Sequence, residues 1–162
     1  MSAYFSSFPL ITVIAILHTV SAIANSSLAS PAASATPISS GSARVLVTVD
    51  NVRSSAGVIG VLVFKSPEGW PEQVGRSFAK ASVPANRGVT SVAFDDLQPG
   101  AYAFVVLHDE NENMKLDRNI FGRPREGWGM SNDPEAFGRA PSFNSARVVV
   151  GDQLLLRVHL NY

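Results

Sequence analysis

The stretch whose reading decides the fold is Arg44-Val45-Leu46-Val47-Thr48-Val49-Asp50, followed by Ser54-Ser55-Ala56-Gly57 and Val58-Ile59-Gly60-Val61-Leu62-Val63-Phe64. Val45, Val47 and Val49 alternate with Leu46, Thr48 and Asp50, the period of two that puts one face of an extended segment into a core. With a small, polar turn between two such runs, the segment reads as a β-hairpin. Working toward the C-terminus, Pro67-Glu68-Gly69-Trp70-Pro71 breaks the pattern, Glu72 to Arg76 is expected to form one helical turn, and a weaker strand is placed around Phe78 to Val83. Asn86-Arg87-Gly88 turns into a strand from Val89 to Phe94. Leu97-Gln98-Pro99-Gly100 is a tight turn leading into the long strand Ala101 to His108. Tyr102 is expected there as a corner tyrosine, its ring in the core and its hydroxyl on a backbone group. Ala146 to Val150, Gly151-Asp152, and the alternating Leu154, Leu156, Val158 and Leu160 read as a second hairpin. About seven strands with short turns, and no amphipathic helix of useful length, predict an all-β, antiparallel β-sandwich.

Working toward the N-terminus, the composition changes. The first charged residue is Arg44, so all 13 basic and all 13 acidic side chains lie in the sandwich region. That balance argues against electrostatic attraction of the domain to nucleic acid or to an anionic membrane. Residues 8–24 are apolar and end in Ala22-Ile23-Ala24, a small-x-small pattern, which predicts a signal peptide over 1–24 cleaved after Ala24. Met1 to Ser7 carries no Lys or Arg, against the usual positive start, so an uncleaved N-terminal anchor is the alternative. Residues 25–43 are Ser, Ala and Pro in the main and read as a linker ahead of a domain spanning 44–162. The expected setting is the periplasm or the exterior, with no membrane span in the mature form. There is no cysteine, so an exported domain must be held by its core or by a metal.

One connection is too long for a compact sandwich. The 37 residues of 109–145 contain no convincing strand, and loops of this length are uncommon unless functional or disordered. Leu116, Ile120, Phe121, Trp128, Met130, Phe137 and Phe143 would seek burial, so an ordered loop folded over one end of the sandwich is expected. Trp70 and Trp128 are expected as buried anchors of the loop, with stacking on a sugar or aromatic ligand as the alternative. Arg118, Arg123, Arg125 and Arg139 are read as solvated or salt-bridged rather than as an anion site.

The loop opens His108-Asp109-Glu110-Asn111-Glu112-Asn113-Met114-Lys115-Leu116-Asp117. Asp109, Asn111, Asn113 and Asp117 fall at relative positions 1, 3, 5 and 9, with the Lys115 carbonyl at position 7, the spacing by which a calcium loop wraps oxygens around one cation. Oxygen-only ligands select calcium or magnesium over zinc or copper. Two positions depart from that pattern: Met114 stands at position 6 in place of Gly, and Ile120 at position 12 in place of a bidentate Glu. The missing carboxylate is therefore sought in Glu126, or in Asp133 with the Ser131 and Asn132 oxygens. The competing explanation is that these Asp and Asn side chains only bond their own backbone in turns.

Leu97-Gln98-Pro99-Gly100-Ala101-Tyr102, His108 to Asn113, Leu116-Asp117, Gly122-Arg123-Pro124, Glu126 to Asn132, and Pro141-Ser142-Phe143 ahead of Ala146 together resemble a bacterial exported family known only as domain-of-unknown-function family 2141. The resemblance covers most of 44–162. It implies a signal-peptide-bearing protein with a transthyretin-like or immunoglobulin-like sandwich and no established activity. That family often has Gly where this chain has Met114.

The functional expectation is a non-enzymatic binding or structural module of the cell envelope, its loop ordered by Ca2+ and presenting the Trp128 region to an envelope protein or glycan. The alternative is a metal-assisted hydrolase or other enzyme using His108 and Glu126, with Asp109, Ser131 and His159 as further groups. Against catalysis, there is no Cys, no Gly-x-Ser-x-Gly elbow and no His-Glu-x-x-His helix. His108 continues the face of Tyr102, Phe104 and Val106 and is expected as a hydrogen-bonded core-edge histidine; His159 is expected to be exposed.

Overall fold

A computed structural model describes residues 41–135 and 139–162. The signal-peptide expectation, most of the linker, and Phe137 lie outside the described residues. Eight strands form two sheets: β1 (Ala43–Val52), β2 (Val58–Phe64), β3 (Ala79–Pro84), β4 (Gly88–Leu97), β5 (Gly100–Asp109), β6 (Gly127–Met130), β7 (Arg147–Val150) and β8 (Gln153–His159). A 3-10 turn, Val74–Arg76, and a four-residue helix α1, Phe143–Ala146, are the helical elements among the described residues. No helix among these residues is long and apolar enough to cross a membrane. β1 starts at Ala43, which is fully buried, one residue before the boundary read from composition.

One sheet has the order β4-β1-β8 and the other β3-β2-β5-β6, with β7 paired to β5 alongside β6 on the same edge. The alternation read from sequence is realised: Val45, Val47 and Val49 of β1 and Ile59, Val61 and Val63 of β2 are fully buried in one core with Tyr102, Phe104, Val106, Leu156, Val158 and Leu160. Each such side chain contributes roughly 1.5–3 kcal/mol by leaving water. The pairing differs from expectation in two places. β1 and β2 are not a hairpin, since β1 pairs with β4 and β8 while β2 pairs with β3 and β5. β7 and β8 are likewise in different sheets, and β8 runs parallel to β1. Alternation specifies which face is buried, and both sheets offer an equivalent inner face. A short turn can therefore arch across the sandwich instead of folding back within one sheet.

The sequence also hides β6. Gly127 and Gly129 weaken a strand signal, yet Gly129 is required by a close backbone approach, since a Cβ there would stand 2.5 Å from the His159 carbonyl oxygen, while one at Gly127 would displace the Tyr162 ring, 2.5 Å away at Cζ. The later part of the long loop covers the outer face of the β2-β5-β6 sheet, while its start, Asp109 and Glu110, lies against the arch between β1 and β2 at one end of the sandwich. A second core of Phe64, Ala103, Met130, Phe143 and Ala146 forms there, with Trp70 and Trp128 packed against it. Trp70 is the expected anchor: it meets Phe64 and Phe143 edge-on at 5.4 and 5.8 Å, and its Nε1 donates to the Pro141 carbonyl at 2.8 Å. Tyr102 is buried with its hydroxyl donating to the Gln98 carbonyl at 2.7 Å, as a corner tyrosine should. Ile120 and Phe121 overturn the expectation of burial, being 92% and 81% exposed.

Candidate functional site

The loop leaves β5 at Asp109, which is buried and uses its whole carboxylate locally. Oδ1 accepts from the Asn113 amide at 3.1 Å and Oδ2 from the Met114 amide at 2.7 Å. To bring its N–H to that carboxylate, Met114 sits at φ +61°, and Glu112 at φ +59°. Position 6 therefore has the left-handed backbone for which glycine is favoured in an oxygen-wrapped loop, held here by a side chain at a cost of about 1 kcal/mol.

Asn111 and Asn113 close the ring. Their Nδ2 groups donate to the two oxygens of Asp117 at 2.8 and 3.0 Å, while their Oδ1 atoms accept from the amides of Asn113 and Lys115 at 3.2 and 2.8 Å. Positions 1, 3, 5 and 9 are thus drawn into one turn, and two amide N–H groups lie against the Asp117 carboxylate where a cation would otherwise balance it. Glu126 reaches the same loop from behind. It is buried, and its Oε1 and Oε2 accept from the amides of Glu110 and Asp117, both at 3.0 Å, tying positions 2 and 9 together. Among the described residues no three His, Cys, Asp or Glu side chains are grouped as metal ligands, so a cation here would depend on Asn and carbonyl oxygens as well. Those donor types are the ones a hard cation takes.

Ser131, Asn132 and Asp133 do not join this set. Ser131 Oγ is buried, accepts from the Phe104 amide at 2.9 Å and donates to the Ala146 carbonyl, linking β5 to α1. Asn132 Nδ2 donates to the Arg147 carbonyl at 2.8 Å. His159 is half exposed and bonded to Asp50 at 2.6 Å on β1.

A second cluster, which sequence reasoning missed, backs the loop. Arg53 grips Glu110 with Nε at 3.0 Å and with its terminal nitrogen, and that nitrogen also donates to the Arg125 carbonyl at 3.0 Å. Ser54 Oγ donates to Glu110 at 2.8 Å, and the guanidinium stacks 4.4 Å from the Tyr162 ring centroid. The Arg53 hydrogen bonds, with lesser help from Ser54 and against the effect of burial, hold the Glu110 carboxyl at about 2. Glu110 in turn raises the Arg53 pKa, and burial raises that of Tyr162. His108 is fully buried beneath. Its Nε2 donates to the Ala56 carbonyl at 2.9 Å, its Nδ1 is hydrogen-bonded to the Tyr162 hydroxyl at 2.8 Å, and that hydroxyl accepts from the Arg53 amide at 3.0 Å. No spacing rule could have found this cluster, since its members meet only because β1 and β2 lie in different sheets.

Because the folded carboxyl of Glu110 titrates below its unfolded value of 4.5, its contribution is complete above pH 4.5 and is lost as pH falls through about 2. Glu110→Gln should lower the melting temperature by a few degrees at neutral pH. The difference from wild type should shrink between pH 4.5 and 2 in paired thermal melts. A pH-independent difference would mean that the amide loses packing instead of charge.

No curated protein and no solved structure matches the chain. A family model described as "Uncharacterized protein conserved in bacteria (DUF2141)" matches residues 47–155, which takes in strands of both sheets and the whole of the Asp109–Glu126 loop. The chain therefore belongs to the DUF2141 family.

Proposed function

We propose that the chain is an exported, non-catalytic binding module of the bacterial cell envelope whose Asp109–Asp117 loop is ordered by Ca2+. The observation that carries the calcium reading is Met114, held at φ +61° with its amide on the Asp109 carboxylate. That is the turn position 6 must make if positions 1, 3 and 5 are to face one centre. Rotating the Asn111 and Asn113 amides would exchange their N–H groups for oxygens, giving Asp109, Asn111, Asn113, Asp117 and the Lys115 carbonyl as ligands. Glu126 would frame the loop through the backbone amides it already holds. The export reading rests on residues 8–24 and the Ala22-Ile23-Ala24 pattern.

The geometry favours binding over catalysis. Both nitrogens of His108 are engaged and the ring has no exposed surface, while both oxygens of Glu126 accept backbone amides. Neither offers a face to a substrate.

Calorimetric titration with calcium should give a dissociation constant of about 10⁻⁴–10⁻³ M, the range of extracellular sites, with a rise in melting temperature at saturation. The Asp109→Ala/Asp117→Ala variant should show neither. Absence of heat and of any melting shift in the wild type at millimolar calcium would sink the calcium reading. N-terminal sequencing of the exported chain should begin at Asn25; retention of residues 1–24 would favour the anchor.

A further inference from the structure

Residues 118–124 form a short, built tongue. Arg118 and Pro124 are bridged as in an antiparallel pair, the Asn119 amide donates to the Arg123 carbonyl at 2.8 Å, and the Gly122 amide donates to the Asn119 carbonyl at 2.9 Å. The last bond defines a β-turn whose two central residues are Ile120 and Phe121. Asn119 Oδ1 accepts from the amides of Phe121 and Arg123 at 2.9 and 3.1 Å, and Gly122 completes the turn at φ +75°. The root is fastened to the loop below, since the Arg125 amide donates to the Asp117 carbonyl at 2.8 Å and the Asp117 amide to Glu126.

Turn centres are ordinarily Pro, Gly, Asn, Asp or Ser. Placing Ile and Phe there, 92% and 81% exposed, breaks the local rule at a site where every backbone bond is otherwise arranged to hold them out. Such departures mark functional positions. The charge along residues 115–125 is one-sided as well. Lys115, Arg118, Arg123 and Arg125 are all exposed, against the single carboxylate of Asp117 within 115–125, although the chain as a whole carries 13 charges of each sign. The Asp117 carboxylate faces the Asn111 and Asn113 amides, and of the four cations Arg118 is paired, with Glu72.

We infer that this tongue docks the domain on an anionic lipid bilayer, with Ile120 and Phe121 entering the interface and Lys115, Arg123 and Arg125 meeting lipid phosphates. Two side chains on a convex turn fall far short of the roughly 1,200–2,000 Å² that a stable protein interface buries. A bilayer needs no complementary surface and rewards this combination of apolar tip and cationic collar. Overall neutrality is no obstacle, because headgroups sense charge within about a Debye length of the surface. The inference rests on the envelope reading only in requiring a bilayer within reach, and it does not require calcium.

The chain lacks cysteine, so Ile120→Cys in the full chain provides one labelling site for an environment-sensitive apolar fluorophore. Asp152→Cys, in the β7–β8 turn beyond the opposite end of β5 from Asp109, is the control. With vesicles of phosphatidylglycerol in phosphatidylcholine carrying a shallow nitroxide lipid, the label at position 120 should be quenched about twofold or more, and that at 152 should not. Because the readout is local, lipid binding through residues 8–24 cannot imitate it. Arg123→Glu with Arg125→Glu should remove most of the quenching, as should phosphatidylcholine alone. Quenching with calcium, with chelator or with both supports docking whatever the calcium titration gives. No quenching at 120 in either condition, or equal quenching at 120 and 152, overturns it, and equal quenching on neutral vesicles overturns the preference for anionic lipid.

Discussion

Gly57→Ala is expected to destabilise the domain by about 3–4 kcal/mol, read from the midpoint of urea unfolding. Gly57 occupies the arch between β1 and β2 at φ +65°, where a side chain is strained whatever space it has. Space is also lacking. A Cβ there would lie 2.0 Å from the Asp109 carbonyl oxygen and 2.7 Å from the Glu110 Cα, both backbone atoms that cannot rotate away. The arch and the start of the loop would have to part, disturbing Asp109 and Glu110 together. Two other glycines separate the causes. Gly88, at φ +90° with nothing within 4 Å, carries the conformational penalty alone, so Gly88→Ala should cost about 1 kcal/mol. Gly60, in β2, would bring a Cβ no closer than 4.0 Å to Leu107 O, so Gly60→Ala should be neutral or slightly stabilising. Equal effects at all three positions would refute the close-approach argument.

Glu126→Ala should cost about 2–4 kcal/mol. Each oxygen of the buried carboxylate accepts one backbone amide, and charge-assisted bonds of this kind contribute roughly 1.5–3 kcal/mol each. Truncation leaves the Glu110 and Asp117 amides to find water, frees both ends of the Asp109–Asp117 turn, and should speed hydrogen exchange at those two amides far more than in the sheets. Glu126→Gln keeps one good acceptor and should lose about half as much. If the alanine variant exchanges no faster at Glu110 and Asp117, Glu126 is not what fastens the loop.

Much of the sandwich was legible because Val45, Val47, Val49, Tyr102, Phe104, Val106, Leu156 and Val158 advertise their buried face by alternation alone. Partners were not legible. Ser54 to Gly57 and Gly151-Asp152 look like hairpin turns, but whether a turn folds back or arches over depends on long-range packing that no local pattern records. β6 escaped notice because Gly127 and Gly129 answer to Tyr162 and His159, residues that follow them by about 30 positions. In the candidate site, the Asp109, Asn111, Asn113 and Asp117 spacing and the choice of Glu126 were readable, since both follow from chemistry along one stretch of chain. The hydrogen bonds of Glu126 are not legible: its two oxygens accept the amides of Glu110 and Asp117, 16 and 9 positions away, which no local spacing records. The Arg53–Glu110 pair spans 57 positions and exists only through the arch between the sheets.

The parallel pairing of β1 with β8 has a mechanical consequence. These strands enter and leave the sandwich side by side, in register from Arg44 opposite Gln153 to Asp50 opposite His159. Tension applied at Ala43 and at His159 pulls the two strands past each other along their length, so the ladder is loaded in shear with its bonds sharing the force, not peeled open one bond after another. A domain tethered by the segment ahead of β1 and pulled from beyond β8 would resist through this ladder, and its lifetime under load would follow the rate at which the whole ladder gives way.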